Sequence, residues 1–360
     1  MSQLRVTTLN NASNTGTANL TLDASGNATV GNTLVMGSSF KRNRIINGDM
    51  VVDQRNAGAS VTLNDAIFPV DRFRGTANIT GKCTAQQSTT APANFINSLL
   101  ITSSSAYTLA STDILTLAQI IEGYNIADFA WGTADAKTIT LSFWVRSSLT
   151  GTFGGVIRNS AGNRSYAFTY SISTANTWTS ISIPIPGDTS GTWLTTNGAG
   201  LFLFFSLGVG TTYTAPSGGN NTWASANYQA AYGTVNLVNT NGATFYITGV
   251  QLEVGSVATP YERQIYSDQL AQCQRYYQLV YATIRLQVTS GASYWTQANM
   301  LVSMRATPTA TATSTYEFRA NLGSVTAAAA GVNAVQLQTT ATGSGDGYTT
   351  QNLITCSAEL

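Results

Sequence analysis

Residues 244–278 decide the fold, and they read T-F-Y-I-T-G-V-Q-L-E-V-G-S-V-A-T-P-Y-E-R-Q-I-Y-S-D-Q-L-A-Q-C-Q-R-Y-Y-Q. Over residues 245–254 apolar and polar residues alternate among β-branched and aromatic types, which predicts a half-buried strand. Gly255 ends the strand, and the period changes after Pro260. Four residues then follow the spacing of one helical face: Tyr266, Leu270, Cys273 and Tyr277. We therefore predict a single helix over residues 261–279, linking two β domains.

Upstream of this stretch the pattern is all-β from about residue 61 to 248. Turn residues such as Gly162, Gly187 and Gly242 separate short apolar runs at regular spacing, which is typical of a sandwich of two antiparallel sheets. The predicted strands begin near Pro69 and continue at residues 98–105, 137–146, 151–158, 165–172, 178–185 and 200–209. Residues 112–125 fit the spacing of a helix and that of a strand equally well.

Downstream of the helix, strand patterns return at residues 282–288, 293–302, 315–319 and 335–337, with a loop predicted at 343–347. Large apolar residues are sparse in residues 280–360. A domain of this size and composition is marginal alone, so we expect association with further copies to supply burial.

Three strings resemble sequences of tailed-bacteriophage tail-fibre proteins: G-V-Q-L-E-V-G-S-V-A-T-P-Y-E-R at 249–263, C-Q-R-Y-Y-Q at 273–278, and R-N-R-I-I-N-G-D-M-V-V-D-Q-R at 42–55. The resemblance implies a jelly-roll sandwich similar to carbohydrate-binding modules over residues 43–260, carried on a homotrimeric fibre. It also implies a virion protein that is assembled in the host cytoplasm. It designates no catalytic or sugar-binding residue.

The N-terminal segment, residues 1–42, carries short apolar runs at 18–22, 28–30 and 33–36 between Asn-Gly turns. Two interpretations give it a role, as an intertwined β stalk of a homotrimer or as an attachment segment for other virion tail proteins. A disordered leader is the alternative. Charges concentrate at residues 40–53, where a hinge between stalk and head and a solvated strand edge are both consistent with the pattern.

Composition excludes several classes of function. Charged residues are 9% of the chain, against about 25% in ordinary domains, and the net charge is +1. Binding to nucleic acid or to an anionic membrane by charge is therefore not expected. The most apolar window, residues 201–209, is shorter than the roughly 20 residues of a membrane span. We expect Cys83, Cys273 and Cys356 to be reduced core thiols, since they are odd in number and widely spaced.

Catalysis is not expected. The chain has no histidine, so a Ser-His-Asp triad and a histidine metal site are both excluded. Glycoside cleavage needs only two carboxylates, but spacing selects no pair from the candidates Asp113, Glu122, Asp128, Asp135, Asp188 and Glu253. Asp346 alone is a poor calcium site. We expect neither cofactor nor metal.

The best candidate for a binding loop is residues 208–235, a long connection with four aromatic residues. Aromatic rings stack on the apolar faces of sugars, and amides bind hydroxyls. The predicted glycan-binding residues are Tyr213, Trp223, Asn227, Tyr228 and Tyr232, with Asn220 and Asn221 as further candidates. The alternative is that Trp223 is a packing anchor for the loop. The C-terminal domain competes with this loop as the receptor-contacting surface.

The sequence thus predicts an all-β protein, with a jelly-roll sandwich, one linking helix and a small C-terminal β domain. Its predicted function is non-catalytic adhesion to a host cell-surface polysaccharide, in which several copies gain avidity. The alternative is a structural virion component, such as a capsid decoration or tail-assembly protein, that uses the sandwich for protein contacts.

Overall fold

The structure is a computed structural model that describes residues 8–9, 20–22, 28–29, 41–313 and 318–360, in two compact units, 1–42 and 43–360. In the first unit, β1 (Thr8–Leu9), β2 (Leu20–Leu22) and β3 (Ala28–Thr29) form an antiparallel sheet. The predicted run at 33–36 lies outside the described residues. The choice between stalk, attachment segment and leader therefore stays open.

The second unit begins with a β-sandwich, as predicted. Its strands are β4 (Val61–Thr62), β5 (Arg74–Ala77), β6 (Cys83–Ser88), β7 (Ser98–Ser103), β8 (Ile114–Glu122), β9 (Ile139–Ser147), β10 (Gly151–Arg158), β11 (Ser165–Ile172), β12 (Thr179–Ile185), β13 (Ala199–Val209), β14 (Trp223–Ala224) and β15 (Thr244–Val254). The first sheet has the order β14-β11-β10-β13-β8-β5, and the second has the order β12-β9-β15-β7-β6-β4. Neighbouring strands are antiparallel throughout.

The core lies between the two sheets and follows from the alternation within each strand. In β9, Leu141, Phe143 and Val145 are buried, whereas Trp144 and Arg146 stay partly exposed on the other side. Aromatic rings interlock across the gap, for example at Phe143 and Phe205, whose centroids are 5.2 Å apart. Each fully buried side chain of this size contributes about 2 kcal/mol relative to exposure.

The ambiguous residues 112–125 form strand β8 followed by a 3₁₀ turn at Gly123–Asn125. Residues 115–122 are all buried, because the core covers one face of the strand and another segment covers the opposite face. A strand buried on both faces loses its period of two. That loss is why its sequence also matched a helical spacing.

Two predicted boundaries are wrong. The strand expected near Pro69 is only an isolated bridge between Val70 and Phe73, because Arg72 turns the chain at φ 71° and β5 starts after it. The loop predicted at 343–347 ends early, since Gly345 already pairs with Val288. The described part of the predicted strand at 315–319 begins at Phe318; residues 315–317 lie outside the described residues.

The helix α1 (Tyr266–Gln274) is also shorter than the predicted 261–279. Tyr276 is buried and its hydroxyl donates to Glu122 at 2.7 Å, which turns the chain out of the helix. Tyr277 then pairs with Ser357 as the first residue of a strand, so it cannot continue the helical stripe.

The C-terminal domain consists of β16 (Tyr277–Val288), β17 (Ser293–Asn299), β18 (Thr309–Thr313), β19 (Phe318–Ala320), β20 (Thr326–Ala329), β21 (Ala334–Thr340) and β22 (Gly345–Ser357). One sheet has the order β16-β22-β18, with β19 also on β22, and the other has the order β17-β21-β20. Its small core includes Ile284, Leu337 and Ile354. Cys83, Cys273 and Cys356 are buried free thiols.

Buried charges hold the C-terminal domain to the sandwich. The carboxylate of Glu359 pairs with Arg72 and, at 2.8 Å, with Arg55, and the Arg72 guanidinium lies 3.5 Å from the ring centroid of Tyr276. Tyr276 in turn donates to Glu122 of β8. These contacts hold the start of the domain, at Tyr276, and its end, at Glu359, against the sandwich.

Candidate functional site

Trp223, the central residue of the predicted binding loop, packs within the sandwich. Its ring centroid lies 5.2 Å from those of Trp131 and Tyr166 and 5.6 Å from that of Trp193, in tilted or edge-on geometry. Its indole N–H donates to the carbonyl of Pro186 at 2.8 Å. The half-buried ring is thus engaged on several sides, as the packing-anchor interpretation expects.

The other predicted residues are spread along the loop. Asn227 accepts a 2.5 Å hydrogen bond from Arg158, and Tyr228 packs partly buried against the sheet. Tyr213 is half-buried, and its carbonyl accepts from the backbone N–H of Gln229. Tyr232 is 51% exposed. Asn220 bonds the backbone of Tyr232, and Asn221 occupies a turn at φ 58°. Among the described residues, Tyr213, Tyr228 and Tyr232 form no ring pairs with one another, and their glycan role stays a prediction.

The loop instead closes the outer face of the first sheet. Ala215 and Ala231 pack on Val156, Ala167 and Phe204, which point away from the core. Gly154 allows this close approach, because a Cβ there would lie 2.6 Å from the carbonyl of Phe168 and 3.0 Å from the Cβ of Ala231. Phe202 and Arg158 stay partly exposed on this outer face, beside the part that the loop covers.

The outer face of the second sheet is different, because aromatic side chains there stay partly exposed. The strand register aligns one outward row across four strands, Arg146, Tyr246, Leu100 and Gln86, and Trp178 lies at the end of this row, one residue before β12. The rings of Trp178 and Tyr246 lie 6.1 Å apart, and the Arg146 guanidinium lies 5.0 Å from the Tyr246 centroid. All five side chains are half-buried. The residues that alternate with them along each strand point toward the core instead.

The next two rows combine one tryptophan with hydroxyl and amide groups. They hold Ser180, Trp144 and Thr248, and then Ser182, Ser142 and Gln251, each about 7 Å from the preceding row along the strands. Thr248 and Gln251 are fully buried, so the accessible polar groups of these rows are the serine hydroxyls. A cavity of about 170 Å³ opens between Trp144, the serines and residues 258–261. We call this surface, from Trp178 to residues 258–261, the aromatic face.

Gly249 shapes the aromatic face. It lies at φ 62° in an irregularity of β15, and a Cβ there would lie 2.7 Å from the ring of Phe95 and 3.3 Å from that of Trp144. Only glycine combines this conformation with so close a contact. Phe95 can therefore lie beside Trp144 and extend the aromatic surface.

The segment after β15 forms one edge of this face. Glu253 accepts hydrogen bonds from the backbone N–H of Thr259 at 2.8 Å and from its hydroxyl at 2.7 Å, which holds the turn. Tyr261 then packs edge-on against Phe95 at 5.3 Å, and the Arg263 guanidinium lies 4.8 Å from the Phe95 centroid. Burial raises the pKa of Tyr261 well above its usual value, so this ring stays neutral.

The candidate acids for catalysis are largely committed to structural contacts. Asp188 pairs with Arg164 at 2.5 Å, and Glu122 accepts from Arg275 at 2.6 Å. Asp113 accepts from Tyr107 and from the backbone N–H of Ala110. Asp128 pairs with Arg44, and Asp346 pairs with Arg285. No group of three or more metal-ligating side chains occurs in the described part of the chain.

Sequence reasoning missed the aromatic face, although its signal was present. In the run K-T-I-T-L-S-F-W-V-R at 137–146, Trp144 and Arg146 occupy the polar phase of the alternation. A large aromatic residue in that phase points away from the core. Tyr246 holds the same phase in β15, but only the strand register shows that Trp178 and Tyr246 meet.

Comparisons with known proteins show what the chain is similar to. No protein-family model matches it, and no curated protein matches it by sequence. No helix within the described ranges is long and apolar enough to cross a membrane.

Solved structures give weak matches. The enzymatically active domain of tailspike protein 4 of bacteriophage CBA120 is 12% identical over 59% of this chain, with a TM-score of 0.32; the match spans 22% of the tailspike chain. A family 11 carbohydrate-binding module from Clostridium thermocellum, solved with a mixed-linked tetrasaccharide, is 14% identical over 56% of this chain and 98% of its own, with a TM-score of 0.28. A xylan-binding domain from Paenibacillus barcinonensis is 11% identical over 57% and 99%, with a TM-score of 0.28. These matches are too distant to bear on function.

Proposed function

We propose that this protein is a non-catalytic receptor-binding protein of a phage tail fibre, which holds a cell-surface polysaccharide on the aromatic face. One observation carries the proposal: Trp178, Tyr246 and Trp144 lie partly exposed on one sheet face, next to a row of serine hydroxyls. Flat apolar rings beside hydrogen-bonding groups are what a sugar ring requires, since one face of the sugar is apolar and its edge carries hydroxyls.

The assignment to a tail fibre rests on the resemblance of residues 42–55, 249–263 and 273–278 to that family. The second string contributes to the aromatic face, because it contains Gly249 and Tyr261. In this proposal the N-terminal segment binds other tail proteins, and the protein is a homotrimer of the virion.

Exposed apolar side chains of the C-terminal domain support association between copies. Tyr281, Trp295 and Leu301 are between 57% and 71% exposed. Association that covers such groups stabilises a domain with a small core, and three copies of one weak site bind a repetitive polysaccharide by avidity. The alternative, a structural virion component, covers the aromatic face itself with protein in the assembled particle.

The test is binding to an array of purified bacterial polysaccharides, with the wild-type protein beside Trp178→Ala and Trp223→Ala. We expect the wild type to bind a subset of them and Trp178→Ala to lose most of that binding. Trp223→Ala should still bind once corrected for its folded fraction. Binding to no polysaccharide contradicts the proposal, and the release of new reducing ends from a bound polymer contradicts its non-catalytic part.

A further inference from the structure

We propose that the polysaccharide bound by the aromatic face is anionic, and that Arg146 and Arg263 recognise its acidic groups. This inference rests on the proposed function and names the class of ligand. It is argued from the charges that border the face, which are unusual in a chain with so few charged residues.

Most arginines of the sandwich have carboxylate partners, but Arg146 and Arg263 do not; Arg158 on the first sheet also has none among the described residues and donates to Asn227. Arg44 pairs with Asp128, Arg74 with Asp65, and Arg164 with Asp188. Arg146 instead donates its Nε–H to the carbonyl of Asn176 at 2.9 Å, and Arg263 donates to the carbonyl of Asn94. Within the described residues neither guanidinium has an acid within ion-pair distance, so no ion pair occupies either side chain and each has unused N–H groups.

Each of the two guanidinium groups is held over an aromatic ring of the face. Arg146 lies over Tyr246, and Arg263 lies over Phe95, with Tyr261 at 5.9 Å. The aromatic ring and one backbone carbonyl restrict each arginine side chain. The other N–H groups of the planar guanidinium stay available to a ligand. A guanidinium fixed in this way is suited to a two-pronged hydrogen bond with a carboxylate or phosphate.

The two arginines belong to different parts of the aromatic face. Arg146 lies beside Trp178 and Tyr246. Arg263 lies over Phe95, and Phe95 lies next to Gly249 and Trp144. A bound chain that stacks on Trp144 would therefore meet a cation on either side. Such spacing suits a polymer whose acidic groups recur.

The carboxylates that border the face have their acceptor oxygens engaged by donors within the protein. Asp49 is buried and accepts from the side-chain amide of Gln269 at 2.7 Å. Glu253 is buried and holds Thr259. Glu262 is half-buried and accepts from the backbone N–H of Asn43 at 2.8 Å. Arg146 and Arg263 therefore supply the guanidinium donors at the surface of the face, while these three carboxylates are already engaged by the protein.

The experiment uses the full chain and the polysaccharide array, with acidic and neutral polymers side by side. Polygalacturonate, hyaluronate and acidic capsular polysaccharides represent carboxylates, teichoic acid represents phosphate, and dextran and galactomannan are neutral. An acidic polymer that binds is then treated with carbodiimide and borohydride, which convert each carboxylate to a primary alcohol, or, where its phosphates are pendant groups, is dephosphorylated. Teichoic acid is left out of this step, because its phosphodiesters form the polymer backbone.

We expect acidic polymers to bind and the matching treatment to abolish binding, which identifies the acidic group as carboxylate or phosphate. Arg146→Gln and Arg263→Gln should each weaken binding roughly tenfold, as expected for one charge-assisted contact. Arg285→Gln is the matched control, since it removes an exposed charge in the C-terminal domain and should leave binding unchanged.

The outcomes separate this inference from the proposed function. Equal binding to an acidic polymer and its reduced form, or binding to neutral polymers alone, overturns the inference while the glycan-binding function stands. Unchanged binding by both arginine variants overturns it as well. Binding to no polymer of either kind overturns the proposed function and this inference together.

Discussion

The two sheets of the sandwich treat their outer faces in opposite ways. The first sheet is covered by its own loop, residues 210–235, whose Trp223 is locked among Trp131, Trp193 and Tyr166. The second sheet leaves Trp178, Tyr246 and Trp144 partly exposed in ordered rows. Tryptophan thus packs against the core at Trp223 and presents a surface at Trp144 and Trp178. Exposure and strand register distinguish the two uses, and residue type does not.

Replacing Trp223 should produce the largest change in stability. Trp223→Ala removes three ring contacts and the hydrogen bond to Pro186, so we expect the free energy of unfolding to fall by roughly 3 to 4 kcal/mol. Urea unfolding measures this change. Loss of polysaccharide binding at unchanged stability would show that the loop with Trp223 binds the ligand and that the aromatic face does not.

A change in pH should change stability through Asp71, which is not part of the aromatic face. Burial raises the pKa of Asp71 from 3.8 to about 6, although Arg55 and Gln54 pull it down. Because the native state then binds this proton at a higher pH than the unfolded chain, the stabilisation is largest below about pH 4 and is lost as the pH rises through 6. The loss should be roughly 2 to 3 kcal/mol.

Thermal unfolding between pH 4 and 7 checks this prediction, with Asp71→Asn as the control that lacks the titration. The stability of the wild type relative to the variant should fall by that amount as the pH rises. Binding per folded molecule should stay constant between pH 5 and 7, since arginine and aromatic groups do not titrate there. A constant stability difference would contradict the shifted pKa.

Replacing Trp178 should do the reverse of Trp223→Ala. The half-buried Trp178 contacts Tyr246 at the surface, so its loss should cost under about 1 kcal/mol of stability. Polysaccharide binding should weaken about 30-fold, or about 2 kcal/mol, as for a central binding residue. Calorimetric titration with the polymer selected on the array measures this. A large loss of stability with intact binding would identify Trp178 as a packing residue.

The smallest effect on binding that we predict concerns the glycine that shapes the face. Gly249→Ala places a methyl group against Phe95 at a positive φ, which should cost about 1 kcal/mol of stability. Binding should weaken severalfold, because Phe95 must move away from Trp144. Gly233→Ala is a suitable control, since Gly233 also has a positive φ but faces open space. Equal binding by both variants would show that Phe95 is not part of the site.

Sequence patterns predicted the sandwich well because most of its strands keep one face in the core. Gly151–Arg158 and Ser165–Ile172 form the strands predicted for them. The prediction failed where contacts with residues far away in the sequence determine the local structure. Tyr277 fitted a helical stripe, yet the ring of Tyr276 and the pairing of Tyr277 with Ser357 direct the chain into a strand.

The binding surface was harder to predict, because it depends on strand order. Trp178 and Tyr246 are 68 positions apart in the sequence, and β9 lies between their strands in the sheet. Local composition drew attention to residues 208–235, where aromatic residues are close in sequence. Trp223 shows that closeness in sequence within a loop does not make a platform, since its partners come from elsewhere in the chain.

The anchored base of the C-terminal domain has a mechanical consequence. The chain enters this domain at Tyr276 and leaves it at Ala358, whose N–H donates to the Tyr276 carbonyl at 2.8 Å, while Arg305 holds the carbonyls of Ala358 and Glu359. A pulling force applied between residues 43 and 360 would cross from the sandwich to Glu359 through Arg55 and Arg72. The rest of the domain lies outside this path of force, so it would bear tension only after those ion pairs had ruptured.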